Sequence, residues 1–178
     1  MNESPPIFVI TGQLSAGKST VAEALLDHFP FGYHLDVDAI REMVTSGLAS
    51  PLNWTDETTR QFNLAILASA ALAKVYGQAG FAVAIEGAIE PTAIDEALGH
   101  AGLLERRVGI VLRPSLEAAL QRNHQRQNKP FDTSILEGVM RTIDNDLARD
   151  AELPGWHVLD NSDEPVEASV ERILSFVR

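Results

Sequence analysis

The sequence predicts a three-layer α/β/α fold, a five-stranded parallel sheet with helices on both faces. Three observations predict it. Five short apolar runs lack the in–out alternation of half-exposed strands, as strands buried on both faces should. Segments of helical periodicity separate these runs, so that each strand is followed by a helix. The first run ends at a glycine whose turn leads directly into a helix.

Taken in order, Ile7–Thr11 is the first strand, and Ser19–Phe29 is a helix stopped by Pro30 and Gly32. Tyr33–Asp36 is a short second strand, followed by a helix over Asp38–Ser46 with Ile40 and Val44 on one face. Ser50–Thr55, which contains Pro51, reads as a loop, and Asp56–Gly77 as a long helix capped by Thr55 or Asp56. Phe81–Ile85 is the third strand, Pro91–Gly99 a helix, and Arg107–Leu112 the fourth strand. Ser115 caps a helix running to about Gln125, and Asp132 caps one from Thr133 to about Arg149. Trp156–Asp160 is the fifth strand, and Val166–Val177 is an amphipathic helix. The whole reads as a single domain over residues 1–178, with a helical lid at approximately 113–133.

Composition narrows the function. A chain of 178 residues, 45% hydrophobic and 22% charged, is a globular domain with a sizeable core. There is no cysteine, so disulfides, thiolate metal sites and cysteine nucleophiles are excluded. Met1–Pro6 shows no signal pattern, and the longest apolar stretch, near Leu64–Val75, is interrupted by Ser69 and Lys74. The expectation is a cytoplasmic protein with no membrane partner. A net charge of −11 weighs against bulk electrostatic binding of nucleic acid.

Gly12-Gln13-Leu14-Ser15-Ala16-Gly17-Lys18-Ser19 matches G-x-x-x-x-G-K-[ST] at every fixed position, between an apolar strand and a helix. The two glycines let the backbone turn so that successive N–H groups face phosphate oxygens. Lys18 supplies a point charge to the β- and γ-phosphates, Ser19 a hydroxyl for Mg²⁺, and the helix its positive end. Gly12 to Thr20 is therefore the expected cradle for a nucleoside triphosphate; the absence of an N-K-x-D segment weighs toward ATP over GTP, as does the family resemblance given below.

Two acids, Asp36 and Asp38, end the second strand, with Arg41 one helical turn beyond Asp38 and on the same face. A carboxylate beside the γ-phosphate can take a hydroxyl proton or orient the attacking oxygen, and Asp38 is the candidate; it equally reads as the cap of its helix. Glu86, after the third strand, is placed to reach the Mg²⁺ shell through water, or to bind substrate. Arg122 and Arg126 share one helix face with no acid between Gln121 and Lys129, ahead of the helix-breaking Asn128–Asp132. On a closing flap they would neutralise charge on the transferred group and exclude water. Asn161 and Ser162, after the fifth strand, are positioned to touch the adenine; Arg113 is a lesser candidate, and Arg106 and Arg107 fall on the far edge. The five histidines show no metal spacing.

Gly12–Thr20, Leu35–Arg41, Glu86 and the Arg113–Arg126 stretch together resemble the small P-loop kinases: the chloramphenicol phosphotransferase-like and zeta-toxin-like branches and the kinase domain of polynucleotide kinases. The resemblance implies the P-loop NTPase fold with strand order 2-3-1-4-5, an arginine-bearing lid over ATP, and an acceptor acid at Asp38. Length and the Val37-Asp38 context are similar to the chloramphenicol branch, whereas Arg41 is similar to the arginine with which polynucleotide kinases contact the acceptor's phosphate. The expected activity is ATP- and Mg²⁺-dependent transfer of the γ-phosphate to a hydroxyl of a small molecule such as an antibiotic, sugar or nucleoside. Two alternatives stand beside it: a polynucleotide 5′-hydroxyl kinase, and a nucleotide-gated ATPase or switch with no acceptor. Neither the acceptor nor the oligomeric state is encoded in a motif.

Overall fold

A computed structural model describes residues 4–125, 136–142 and 154–177. The sheet consists of β1 (Ile7–Gly12), β2 (Gly32–Asp36), β3 (Ala82–Glu86), β4 (Arg107–Leu112) and β5 (Trp156–Leu159). All four pairings are parallel, and the order is β2-β3-β1-β4-β5, as the resemblance implies. The helices are α1 (Lys18–Leu26), α2 (Val37–Glu42), α3 (Asp56–Gln78), α4 (Pro91–Ala101), α5 (Leu116–His124), α6 (137–142) and α7 (Val166–Leu174).

Every residue of β1 and β3 is buried, which is why neither strand alternates in sequence. Their side chains still alternate in space. Ile7, Val9, Val83 and Ile85 join Ile66, Ala70, Ile94 and Leu98 of α3 and α4 on one face. Phe8, Ile10, Ala82 and Ala84 join Val21, Leu25, Val170 and Ile173 of α1 and α7 on the other. Two cores thus sandwich the sheet, and each fully buried Ile or Leu contributes roughly 1.5–3 kcal/mol.

This topology fixes where a ligand can bind. After β1 the chain turns to the α1 face; after the adjacent β3 it turns to the α4 face. The carboxyl ends of β1 and β3 therefore flank a crevice at the switch point of the sheet. Ile10 pairs with Glu86, and Asp36 pairs with Glu86 from the other side, so the candidate acids lie on one rim.

Element ends shift by a few residues from the sequence expectation. α2 begins at Val37 because the Asp36 carboxylate accepts from the Asp38 and Ala39 amides, making Asp36 and not Asp38 the N-cap. α3 is capped by Thr55, whose hydroxyl and the Thr58 side chain form a reciprocal capping box. The last helix closes in a 3-10 turn over Ser175–Val177. Among the described residues no helix is long and apolar enough to cross a membrane. Residues 126–135, which include Arg126 and most of the expected flap, lie outside the described residues, as do Thr133–Ile135 and 143–149 of the helix expected over 133–149.

Candidate active site

The phosphate loop joins β1 to α1 in two left-handed steps, Ser15 at φ 59° and Gly17 at φ 87°. Gly17 stands at the N-cap of α1 without a side-chain cap of its own, and the positive end of the helix faces the loop. The Lys18 ammonium folds over the loop and donates to the Gln13 carbonyl (3.0 Å) and the Gly12 carbonyl (3.4 Å). Ser19 Oγ donates to Glu86 Oε1 at 2.7 Å, joining the start of α1 to the end of β3. Two hard oxygen groups side by side fit magnesium, which takes few protein ligands and fills its shell with phosphate and water.

Glu86 is buried, 4% exposed. Burial pushes its carboxyl up, but the His34 and Ser19 contacts and the Lys18 charge outweigh this and hold it below the ordinary glutamate range. His34 Nε2 stands 3.6 Å from Glu86 Oε1, an ion-pair distance too long for a hydrogen bond. The Glu86 carboxylate raises the His34 pKa against a desolvation that would lower it. Asp38 has an open surface, yet protein packs densely around its carboxyl. This desolvation, with the neighbouring Asp36, raises its pKa, while Lys18 and Arg41 oppose the rise. Asp38 thus lies within the fields of both Lys18 and Arg41, and the folded protein favours its protonated form.

The remaining candidates have internal partners. Arg41, expected to face the acceptor, is 4% exposed. Its Nη1 donates to the Ala49 carbonyl at 2.8 Å, and its guanidinium lies 4.7 Å from the centre of the Phe62 ring. Helix α2 turns the side chain inward, under the loop that follows it, whereas the sequence expectation had it meet an acceptor phosphate. Arg122 Nη2 donates to the Asn161 and Ser162 carbonyls at 2.6 and 3.0 Å, bracing the loop after β5. Asn161 Nδ2 in turn donates to the Ala16 carbonyl at 2.8 Å. Since a carbonyl only accepts, this bond fixes the amide orientation and leaves Oδ1 as a buried acceptor without a hydrogen-bond partner among the described residues. Arg106 and Arg107 bind the carbonyls of Pro5 and Gly155 at the opposite end of the sheet, away from the crevice as expected.

Gln13 carries a role that the motif does not reveal. Its side chain is fully buried, Nε2 donating to the Met140 carbonyl of α6 at 2.9 Å and Oε1 accepting from the Leu14 amide at 2.8 Å. Ser15 Oγ donates to Asn123 Oδ1 in α5 at 3.3 Å. Variable positions of the loop are thus tied to α5, to α6 and to the loop after β5. The polarity of Gln13 inside an otherwise apolar surrounding was the available signal; its distant partner was not visible.

This arrangement defines the class: a small P-loop kinase fold, with the phosphate loop at its switch point. The chain belongs to the AAA domain family, whose profile matches residues 7–148. Among solved structures it is similar to a sugar kinase from Janibacter sp. HTCC2649 (20% identity, TM-score 0.69, covering 97% of this chain and 94% of that one). It is also similar to the tunicamycin resistance protein of Deinococcus radiodurans (16% identity, TM-score 0.68, 97% and 95%). A third is the Acinetobacter baumannii shikimate kinase in complex with shikimate (19% identity, TM-score 0.63, 98% and 94%). No curated protein matches by sequence.

Proposed function

We propose that this protein is an ATP- and Mg²⁺-dependent phosphotransferase that moves the γ-phosphate to a hydroxyl of a small molecule. The observation that carries this reading is the convergence of Lys18, the Ser19–Glu86 pair and Asp38 at the carboxyl ends of β1, β2 and β3. In the reaction the acceptor oxygen forms a bond to the γ-phosphorus as the β–γ bridging bond breaks, and ADP leaves with the electron pair. The hydroxyl proton passes to Asp38 and from there to water. Magnesium, when bound, offsets phosphate charge; Ser19 and Glu86 are the residues that would hold it.

Lys18 attracts the phosphates and leaves its carbonyl partners to do so. Gly12–Thr20 supplies backbone amides, Asn161 and Arg122 support the nucleotide side, and Arg126 is the candidate for charge on the transferred group. Phosphoryl transfer depends mostly on positioning and electrostatics, so a cleft of this kind is sufficient machinery. The similar structures include a sugar kinase and a shikimate kinase, whose activities are of the same kind. The Arg41 guanidinium is engaged with the Ala49 carbonyl and the Phe62 ring, which weighs against its use on an acceptor phosphate.

The test is γ-labelled MgATP offered to a pool of small alcohols and, separately, to 5′-hydroxyl oligonucleotides, with Asp38→Asn in parallel. Label in a small alcohol, cut at least ~100-fold by Asp38→Asn as for loss of a general base, is expected. Label only in oligonucleotides would replace the small-molecule reading. Label only in inorganic phosphate would favour the switch.

A further inference from the structure

The pleat of the sheet decides which side chains share a face. Ala82 and Ala84 of β3 pack into the core beneath α1 and α7, so Glu86, two residues further, turns to the same side. On β2, Tyr33 and Leu35 pack against the opposite core. His34 and Asp36 alternate with them and therefore face α1, the side of Glu86. Helix α1 meets this side with Ser19 and Glu23, four residues apart and hence on one helix face.

The result is a polar chain across three elements. Ser19 Oγ donates to Glu86 Oε1 at 2.7 Å. His34 Nε2 stands 3.6 Å from that same oxygen, and its Nδ1 stands 3.8 Å from Glu23 Oε1. Because β2 is the edge strand, the imidazole fills the side of Glu86 that looks toward the edge of the sheet. The two acids differ in setting: the Glu23 side chain is 71% exposed and that of Glu86 only 5%. Water screens the first contact, whereas Glu86 depends on protein groups to hold it.

Two observations give His34 more than a packing role. Its Nε2 is a buried nitrogen with no hydrogen-bond partner among the described residues, a condition that few native polar groups keep without a reason. The group it faces is a carboxylate, which only accepts. In addition, both contacts fall on one Glu86 oxygen, so His34 backs the atom that receives the Ser19 hydrogen. A serine hydroxyl has one hydrogen and two lone pairs. With the hydrogen spent on Glu86, the lone pairs are left for a hard cation. An apolar residue in place of His34 would leave Oε1 with Ser19 alone, in a setting that offers it little water.

We infer that His34 is a positioning residue of the magnesium site: through Nε2 it holds Glu86 Oε1 where it accepts from Ser19, and so keeps the Ser19 oxygen ready for the metal. The inference rests on the nucleotide–magnesium reading of this crevice and deepens it. His34 itself touches neither metal nor phosphate; it acts through Glu86.

The test uses Mn²⁺ as the probe, bound together with ADP and read from the free-ion signal in electron paramagnetic resonance. Neither acceptor nor turnover enters that measurement. His34→Leu should weaken Mn²⁺ binding to the protein–ADP complex about 10-fold, the lower end of what an outer-shell partner of a metal ligand costs. ADP binding in EDTA, followed by titration calorimetry, should stay unchanged. His34→Gln returns an N–H donor and should recover most of the affinity; Glu23→Gln should bind Mn²⁺ as wild type does. A purely structural role would instead weaken ADP with and without metal alike, and that result would overturn the inference. So would unchanged or tighter Mn²⁺ binding by His34→Leu, the latter making the ring a competitor of the metal. His34→Gln no better than His34→Leu would refute the part given to the N–H. Each of these results leaves the phosphotransferase reading standing. If wild type binds no Mn²⁺ with ADP, that reading falls, and the inference falls with it.

Discussion

Replacing Gly12 by alanine should break the phosphate loop at its root. A Cβ at Gly12 would stand 2.0 Å from the Leu112 carbonyl oxygen, and 2.8 Å from that residue's carbonyl carbon and amide nitrogen. Real Cβ contacts do not fall below 3.0 Å, so the backbones must part by at least about 1 Å (3.0 less 2.0). All three atoms are Leu112 backbone in the β1–β4 ladder, where no flexible side chain can yield. The φ of +126° adds strain of about 1–3 kcal/mol for a residue with a side chain. Parting the strands also endangers the Gln13 N–H bond to Leu112, worth about 1 kcal/mol. Together these give about 2–4 kcal/mol, a fall of about 1–2 M in the urea midpoint at ordinary slopes. Gly17→Ala is the internal control: its φ is +87°, but nothing lies within 4 Å of the added carbon, so only strain of about 1–2 kcal/mol applies. Urea unfolding of both variants checks the difference. Equal midpoints for the two, or a Gly12→Ala midpoint unchanged from wild type, would refute the reasoning.

Gln13→Met keeps the shape and removes both amide bonds, exposing neither Met140 O nor Leu14 N to a new partner; a loss of about 1–3 kcal/mol in urea unfolding is expected. Titration calorimetry should also show weaker MgATP binding with adenosine binding unchanged, because the loop and not the base site is loosened. Asp36→Ala should cost about 1 kcal/mol in thermal or urea unfolding as a lost N-cap. Asp38→Asn should stabilise the fold at neutral pH while cutting transfer at least ~100-fold. The sign follows from its raised pKa: the protonated form is favoured by folding, so ionisation as pH climbs through the folded pKa costs stability, and the amide escapes it. Glu57 behaves oppositely. Hydrogen bonds from Arg60 and Gln61 bring its pKa to about 2 from 4.5, so its contribution is present above pH 4.5 and is lost as pH falls through about 2. Acid titration of wild type against Glu57→Gln should show the wild-type advantage shrinking across that window; solvent exposure keeps it small.

The sheet was legible because strands buried on both faces must be apolar throughout, and the loop because its chemistry lies within consecutive residues. What was missed depends on long-range partners. Arg41 is a charged residue beside an acid, which reads as surface; its actual partners, Ala49 O and Phe62, are set by how the following loop folds back. Arg122 lacked nearby acids and read as unpaired, yet carbonyl oxygens of Asn161 and Ser162 satisfy it, and composition cannot display a carbonyl. Asp36 took the capping role expected of Asp38 because β2 ends one residue before helical backbone begins. The expected lid at 113–133 is described only through α5, and Arg126 keeps its proposed role on sequence grounds.

The central claim is that this crevice moves the γ-phosphate of ATP to an alcohol. Its most direct measurement is the fate of γ-label from MgATP in a protein-free extract of small metabolites, for wild type and Lys18→Ala. The account predicts label in a phosphomonoester, formed by wild type and lost with Lys18→Ala. Label appearing only as inorganic phosphate, at a rate indifferent to the extract, would contradict it.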